Sequence, residues 1–130
     1  MVFALQLNQA IIVTMGRLTT HVLDTAQGRP GAGLTVELYA LDGERRRLAS
    51  IVTDREGRAP APLLEGDALR RGTYELVFHA GIYFRQQGLD LPQPGFLDQV
   101  VIRIGIASPD QHYHVPLLLA PYGYSTYRGS

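Results

Sequence analysis

The chain has 130 residues, enough for one domain that buries roughly two-thirds of its unfolded surface. A 45% hydrophobic and 18% charged content fits a globular protein, and twelve basic residues balancing twelve acidic ones leave no net charge to favour a nucleic-acid or membrane partner. The absence of cysteine excludes disulfides, thiol nucleophiles and cysteine-ligated zinc, and because every basic residue is arginine there is no Schiff-base lysine.

Residues 1–15 carry an apolar patch at 10–13, but no basic residue precedes it and it is far too short to span a bilayer. Met15, followed by Gly-Arg-Leu-Thr-Thr-His, looks like a natural start. Residues 1–15 therefore read as an N-terminal extension of unknown role and 16–130 as the folded domain. A cysteine-free chain suits a reducing cytoplasm, with the periplasm also open to it.

From residue 18 to 24 the pattern is a short strand, with Thr19, His21 and Leu23 on one face and Leu18, Thr20 and Val22 on the other. Gln27-Gly-Arg-Pro-Gly-Ala-Gly33 is a turn cluster, and residues 34–41 alternate as a half-buried strand. Asp42-Gly43 turns into a strand over 46–53, and Asp54-Arg-Glu-Gly57 turns again. Residues 63–72 are irregular, and 73–80 alternates Tyr74, Leu76 and Phe78 inward against Glu75, Val77 and His79. The stretch 82–87, closed by Gly88, predicts one or two helical turns. A proline-rich loop follows, then a strand over 97–107 with Val100, Ile102, Ile104 and Ile106 on one face and Arg103 opposite.

Residues 112–120 place His112, His114, Pro116 and Leu118 on one face and Tyr113, Val115, Leu117 and Leu119 on the other. Pro121-Tyr-Gly123 then reads as a hairpin turn that folds 124–130 back beside 112–120. Tyr113, Leu117 and Leu119 exceed what one thin sandwich should bury, which predicts an interface with other copies. About eight short strands, with turn signals roughly every ten residues, predict an all-β antiparallel sandwich.

The residues able to do chemistry cluster at 112–130, with two histidines, four tyrosines, an arginine and two serines. His112 and His114 point the same way, and His21 lies on another strand. Three histidines with an open fourth position could hold zinc; a metal-free pair could carry protons near neutral pH; or all three could be structural. Arg58 follows a glycine turn and reads either as a solvated charge or as a group polarising a carbonyl. Tyr127 and Arg128 could simply cover apolar surface. There is no Gly-x-Ser-x-Gly elbow, phosphate loop or dinucleotide fingerprint.

Three blocks resemble the 5-hydroxyisourate hydrolases, or transthyretin-like proteins: Leu18-Thr-Thr-His-Val-Leu-Asp24, Thr53-Asp-Arg-Glu-Gly-Arg58, and 112–130 with its ending Tyr-Arg-Gly-Ser. Transthyretin shares the sandwich but lacks that ending, so the resemblance favours an enzyme over a hormone carrier. A secreted structural sandwich, which shares the Gly-x-Pro-x-x-Gly and Asp-x-x-Gly turns, is the other alternative. The resemblance implies a transthyretin-like antiparallel β-sandwich of seven or eight strands with one short helix. It also implies a homotetramer, a dimer of dimers with active sites in a channel between dimers, and hydrolytic opening of 5-hydroxyisourate without metal or cofactor. Carried over residue by residue, it implies catalytic roles for His21, Arg58, His114 and Ser130, with Tyr127 and His112 joining His21 and Arg58 in binding substrate. Ala120 stands where serine is common and Glu56 where aspartate is, both expected to lie outside the chemistry.

Overall fold

The computed structural model describes residues 16–130; residues 1–15, with the apolar patch at 10–13, lie outside the described residues. The described chain forms two packed sheets. The first is ordered β2 (Arg29–Pro30), β1 (Arg17–Asp24), β8 (His112–Ala120), β9 (Gly123–Thr126), with the two-residue β5 (Leu64–Glu65) also paired to β1. The second is ordered β4 (Arg45–Val52), β3 (Thr35–Leu41), β6 (Gly72–Phe78), β7 (Val100–Ile106). Seven strands longer than two residues and one helix match the expected sandwich. Its antiparallel pairing has one exception, because β1 and β8 run parallel, with Thr19 opposite His114 and His21 opposite Pro116. A parallel pair needs a long crossover, and here that crossover includes the whole second sheet.

Alternation sets the layers. Leu18, Thr20, Val22 and Asp24 of β1 are buried, while Thr19, His21 and Leu23 remain half-exposed on the outer face. Tyr113, Val115, Leu117 and Leu119 of β8 are buried within the single chain, in one core with Leu38, Leu76, Phe78 and Ile102. This corrects the expectation that they mark an interface. Sheets about 10 Å apart interdigitate their inner side chains, so the second sheet already covers this face and each fully buried leucine contributes about 1.5–3 kcal/mol.

The helix, α1 (Ala80–Gln86), starts two residues and ends one residue earlier than expected, with Gln87 as its C-cap and Gly88 in the left-handed region at φ 80°. It buries Ala80, Tyr83 and Phe84, and the Tyr83 hydroxyl donates to Asp24 at 2.7 Å, tying the helix to the end of β1. Strand β7 begins at Val100 rather than 97. The irregular stretch 63–72 contains β5 and a 3-10 turn, Gly66–Ala68.

On the outer face of the second sheet, Glu75 lies between Arg45 and Arg103 (3.1 and 2.9 Å), while Glu37 accepts from His79 Nε2 (2.8 Å) and Arg47 (3.1 Å). These donors hold both carboxyls below their usual range, His79 foremost for Glu37 and Arg103 foremost for Glu75. Val77, expected to face outward with Glu75 and His79, is nonetheless buried because β6 runs down the middle of the sheet between β3 and β7. The fourth histidine, His79, is thus committed to this face and takes no part in the site below.

Candidate active site

The site rests on the parallel pairing of β1 with β8. That register places Thr19 and His21 beside His114 and Pro116 on the outer face of the first sheet. Arg58 is brought in by an isolated antiparallel bridge to His21, and residues beyond β9 by a second bridge, Gly129 to His114.

His114 is half-buried, and its Nδ1 lies 2.8 Å from Thr19 Oγ1, its direct neighbour across the ladder. The Gly129 N–H donates to the His114 carbonyl at 2.8 Å. A Cβ at Gly129 would stand 2.7 Å from His114 Cδ2, so the backbone there lies flush against the imidazole and only glycine fits. His21 is anchored at Nε2, 2.7 Å from the Glu56 carbonyl. Glu56 therefore reaches the site through its backbone, although its side chain does not. The Arg58 N–H donates to Asp54 Oδ1 at 3.1 Å, while its guanidinium is exposed and, among the described residues, has no carboxylate within ion-pair distance.

Burial first, then the positive charges of Arg58 and His21, push the His114 imidazolium to lose its proton below the ordinary value of 6.5. The coupling is evidence that the three groups share one neighbourhood, and it leaves His114 neutral at neutral pH. Turnover that needs neutral His114 should persist below pH 6.5 and fall only at more acid pH. In Arg58→Gln one of the two charges opposing protonation is gone, so the acid limb of the residual kcat/KM profile should move to higher pH. An acid limb at the same pH in both proteins would mean that Arg58 and His114 are uncoupled.

The remaining predicted site residues lie around this trio rather than in it. His112 is exposed, and its carbonyl accepts from Arg128 Nη2 at 2.9 Å. Arg128 also stacks over the Tyr113 ring at 4.1 Å, covering apolar surface as the plainer reading has it. Tyr127 is 59% exposed beside a cleft of ≈ 380 Å³ that it lines with Arg103, Tyr113 and His114. Ser130 is exposed, and neither its hydroxyl nor the Tyr127 phenol is hydrogen-bonded among the described residues. Among the described residues, no three histidine or acidic side chains converge as a metal site. Thr19, Asp54 and Gly129 are the residues that sequence reasoning missed. Thr19 could have been found from its place on the His21 face, two residues earlier, and Asp54 from its turn.

A two-sheet sandwich with one short helix, with two histidines on an outer sheet face and an arginine bridged beside them, defines a transthyretin-like protein. Residues 18–129 match the HIUase/Transthyretin family. The chain is 63% identical over 116 residues to 5-hydroxyisourate hydrolase 2 of Rhizobium meliloti (strain 1021), covering 88% of this chain and 97% of that relative. Of solved structures, it resembles the 5-hydroxyisourate hydrolase of Klebsiella pneumoniae at 36% identity and TM-score 0.75, over 89% of this chain and all of that one. It also resembles (S)-allantoin synthase at 40% identity and TM-score 0.86, over 90% of this chain but 44% of that one, so it spans less than half of that protein. The chain belongs to the HIUase/Transthyretin family.

Proposed function

We infer that this protein is a 5-hydroxyisourate hydrolase, opening the six-membered ring of 5-hydroxyisourate to give 2-oxo-4-hydroxy-4-carboxy-5-ureidoimidazoline in urate catabolism. The observation that carries this reading is 63% identity along nearly the whole of a hydrolase of that name. The assembly of His21, Arg58 and His114 on one sheet face is what the reaction asks for.

The reaction is hydrolysis of a cyclic amide. Water adds to the ring carbonyl, negative charge develops on its oxygen, the C–N bond breaks, and the leaving nitrogen takes a proton. In our assignment, His21 and His114 carry the proton transfers on water and on the leaving nitrogen, and Arg58 stabilises the developing oxyanion. Two half-buried imidazoles and a guanidinium without a carboxylate counterion favour such charge. Tyr127, His112 and Ser130 bind and orient the flat ring; their exposure in the single chain leaves them free to do so. The folded hydrolase domain is taken as 16–130, with no role assigned to 1–15. No described helix is long and apolar enough to cross a membrane; we place the protein in the cytoplasm on its cysteine-free sequence.

The test is the decay of freshly generated 5-hydroxyisourate followed by absorbance. Acceleration beyond the spontaneous rate is expected; an unaccelerated decay would point to a carrier or a structural sandwich. In the same assay, extensive chelation should leave the rate unchanged, because among the described residues no carboxylate joins the histidines to complete a set of metal ligands. Loss of turnover on chelation, restored by zinc alone, would replace the acid–base scheme with a metal-bound hydroxide.

We also assign a homotetramer, a dimer of dimers. It rests on family resemblance and on the exposed outer face that carries the site, and no longer on the β8 core residues. Light scattering at micromolar concentration should give four times the 14.3 kDa chain mass. A monomer mass would remove the shared channel.

A further inference from the structure

The least expected contact in the site is the one between His21 and a backbone carbonyl. A carbonyl oxygen only accepts, so in the neutral imidazole the 2.7 Å contact to Glu56 requires the proton on Nε2 and leaves Nδ1 bare. Nδ1 has no hydrogen-bond partner among the described residues. In the charged ring, the Nε2 proton remains tied to the carbonyl. Any proton that His21 exchanges therefore passes through Nδ1.

The Glu56 carbonyl is held by its turn. It belongs to the Glu56–Gly57 peptide, whose N–H donates to the Asp54 carbonyl at 2.9 Å. The peptides on either side are held by the Asp54 side chain, whose Oδ1 accepts from Glu56 N–H at 2.9 Å and Arg58 N–H at 3.1 Å. Asp54 N–H closes the turn onto the Arg58 carbonyl at 2.8 Å. Gly57, at φ +78°, passes so close to β1 that a Cβ would lie 2.3 Å from the Val22 carbonyl, and its own carbonyl accepts from Val22 N–H at 2.7 Å. Three successive peptide planes thus face one residue, and the middle plane points its oxygen at His21.

We infer that Asp54 is a positioning residue: by organising the turn it holds the Glu56 carbonyl against His21 Nε2, which fixes the His21 tautomer and makes Nδ1 the exchanging nitrogen. The catalytic half of this statement rests on the reading of His21 as a proton carrier; the tautomer does not.

Long-range ¹⁵N correlation on the labelled full-length protein reads the tautomer directly, without substrate. The wild type should show His21 protonated at Nε2 and bare at Nδ1. Asp54→Asn keeps Oδ1 as acceptor of both N–H groups and should retain that signature and most of the turnover. Asp54→Ala should show a mixture of tautomers and lose up to about 100-fold in kcat, with KM little changed. A wild-type His21 protonated at Nδ1 overturns the inference, even if Asp54→Ala cannot be folded. So does an Asp54→Ala that keeps the pure Nε2–H signature. Near-wild-type turnover in His21→Gln would instead overturn the proton-carrier reading, and it is measured on a separate sample.

Discussion

Single replacement of His21, Arg58 or His114 by glutamine is expected to lower kcat/KM by about 100-fold or more, the range for removing one positioned acid–base or oxyanion-stabilising group. Glutamine keeps a polar side chain of comparable reach and cannot titrate, so circular dichroism should show an unchanged fold. The three groups are coupled, because the charges of Arg58 and His21 both act on the His114 imidazole. Groups acting as one unit do not lose rate multiplicatively. The double variant His21→Gln/His114→Gln should therefore sit close to the worse single variant. A double variant whose loss equals the product of the two single losses would show that the histidines act in separate steps without mutual support.

Deletion of residues 127–130 should produce a comparable loss of turnover with a far smaller loss of stability. What leaves the fold is modest: the Arg128 stack on Tyr113, its contact to the His112 carbonyl and the Gly129 N–H to the His114 carbonyl. Together these are worth about 1–2 kcal/mol, which lowers Tm by roughly 3–10 °C in a domain of this size. What leaves the site is larger. Tyr127 and Ser130 go as ring-binding groups, and the backbone at Gly129 that closes one side of the His114 imidazole goes with them. Removing one preorganised donor commonly costs about 100- to 1,000-fold. Turnover and Tm measured on the same truncated sample decide the matter: near-full turnover would make these residues structural only.

Strand alternation was readable wherever one face of a strand meets the core. The inner residues of β1, β3 and β8 are those the period of two selects, and the hairpin at Pro121 places β9 as expected. Two things escaped because they depend on what lies across space. Tyr113, Leu117 and Leu119 read as surplus apolar surface, since one strand's pattern does not say how completely a second sheet covers it. The parallel β1·β8 pair escaped because alternation is the same whichever way a neighbour runs. In the site, the titratable residues announce themselves by type. The groups that hold them are a threonine hydroxyl, a backbone carbonyl and a glycine without a side chain, types that occur throughout any sandwich.

The parallel pairing also sets an order of events in the cell. Thr19 and His114, which touch in the folded protein, are 95 residues apart in the chain. At a synthesis rate of about 5–20 residues per second, roughly 5–20 s separate their appearance. For that interval the side of β1 that will receive β8 is an unpaired edge, with Leu18 and Val22 lacking the cover that β8 brings, a state prone to wrong pairing with other chains. Closing so long a loop is slow compared with forming the local hairpin of β8 and β9. The exposed edge of a nascent chain thus closes in the same step that brings Thr19 and His114 together.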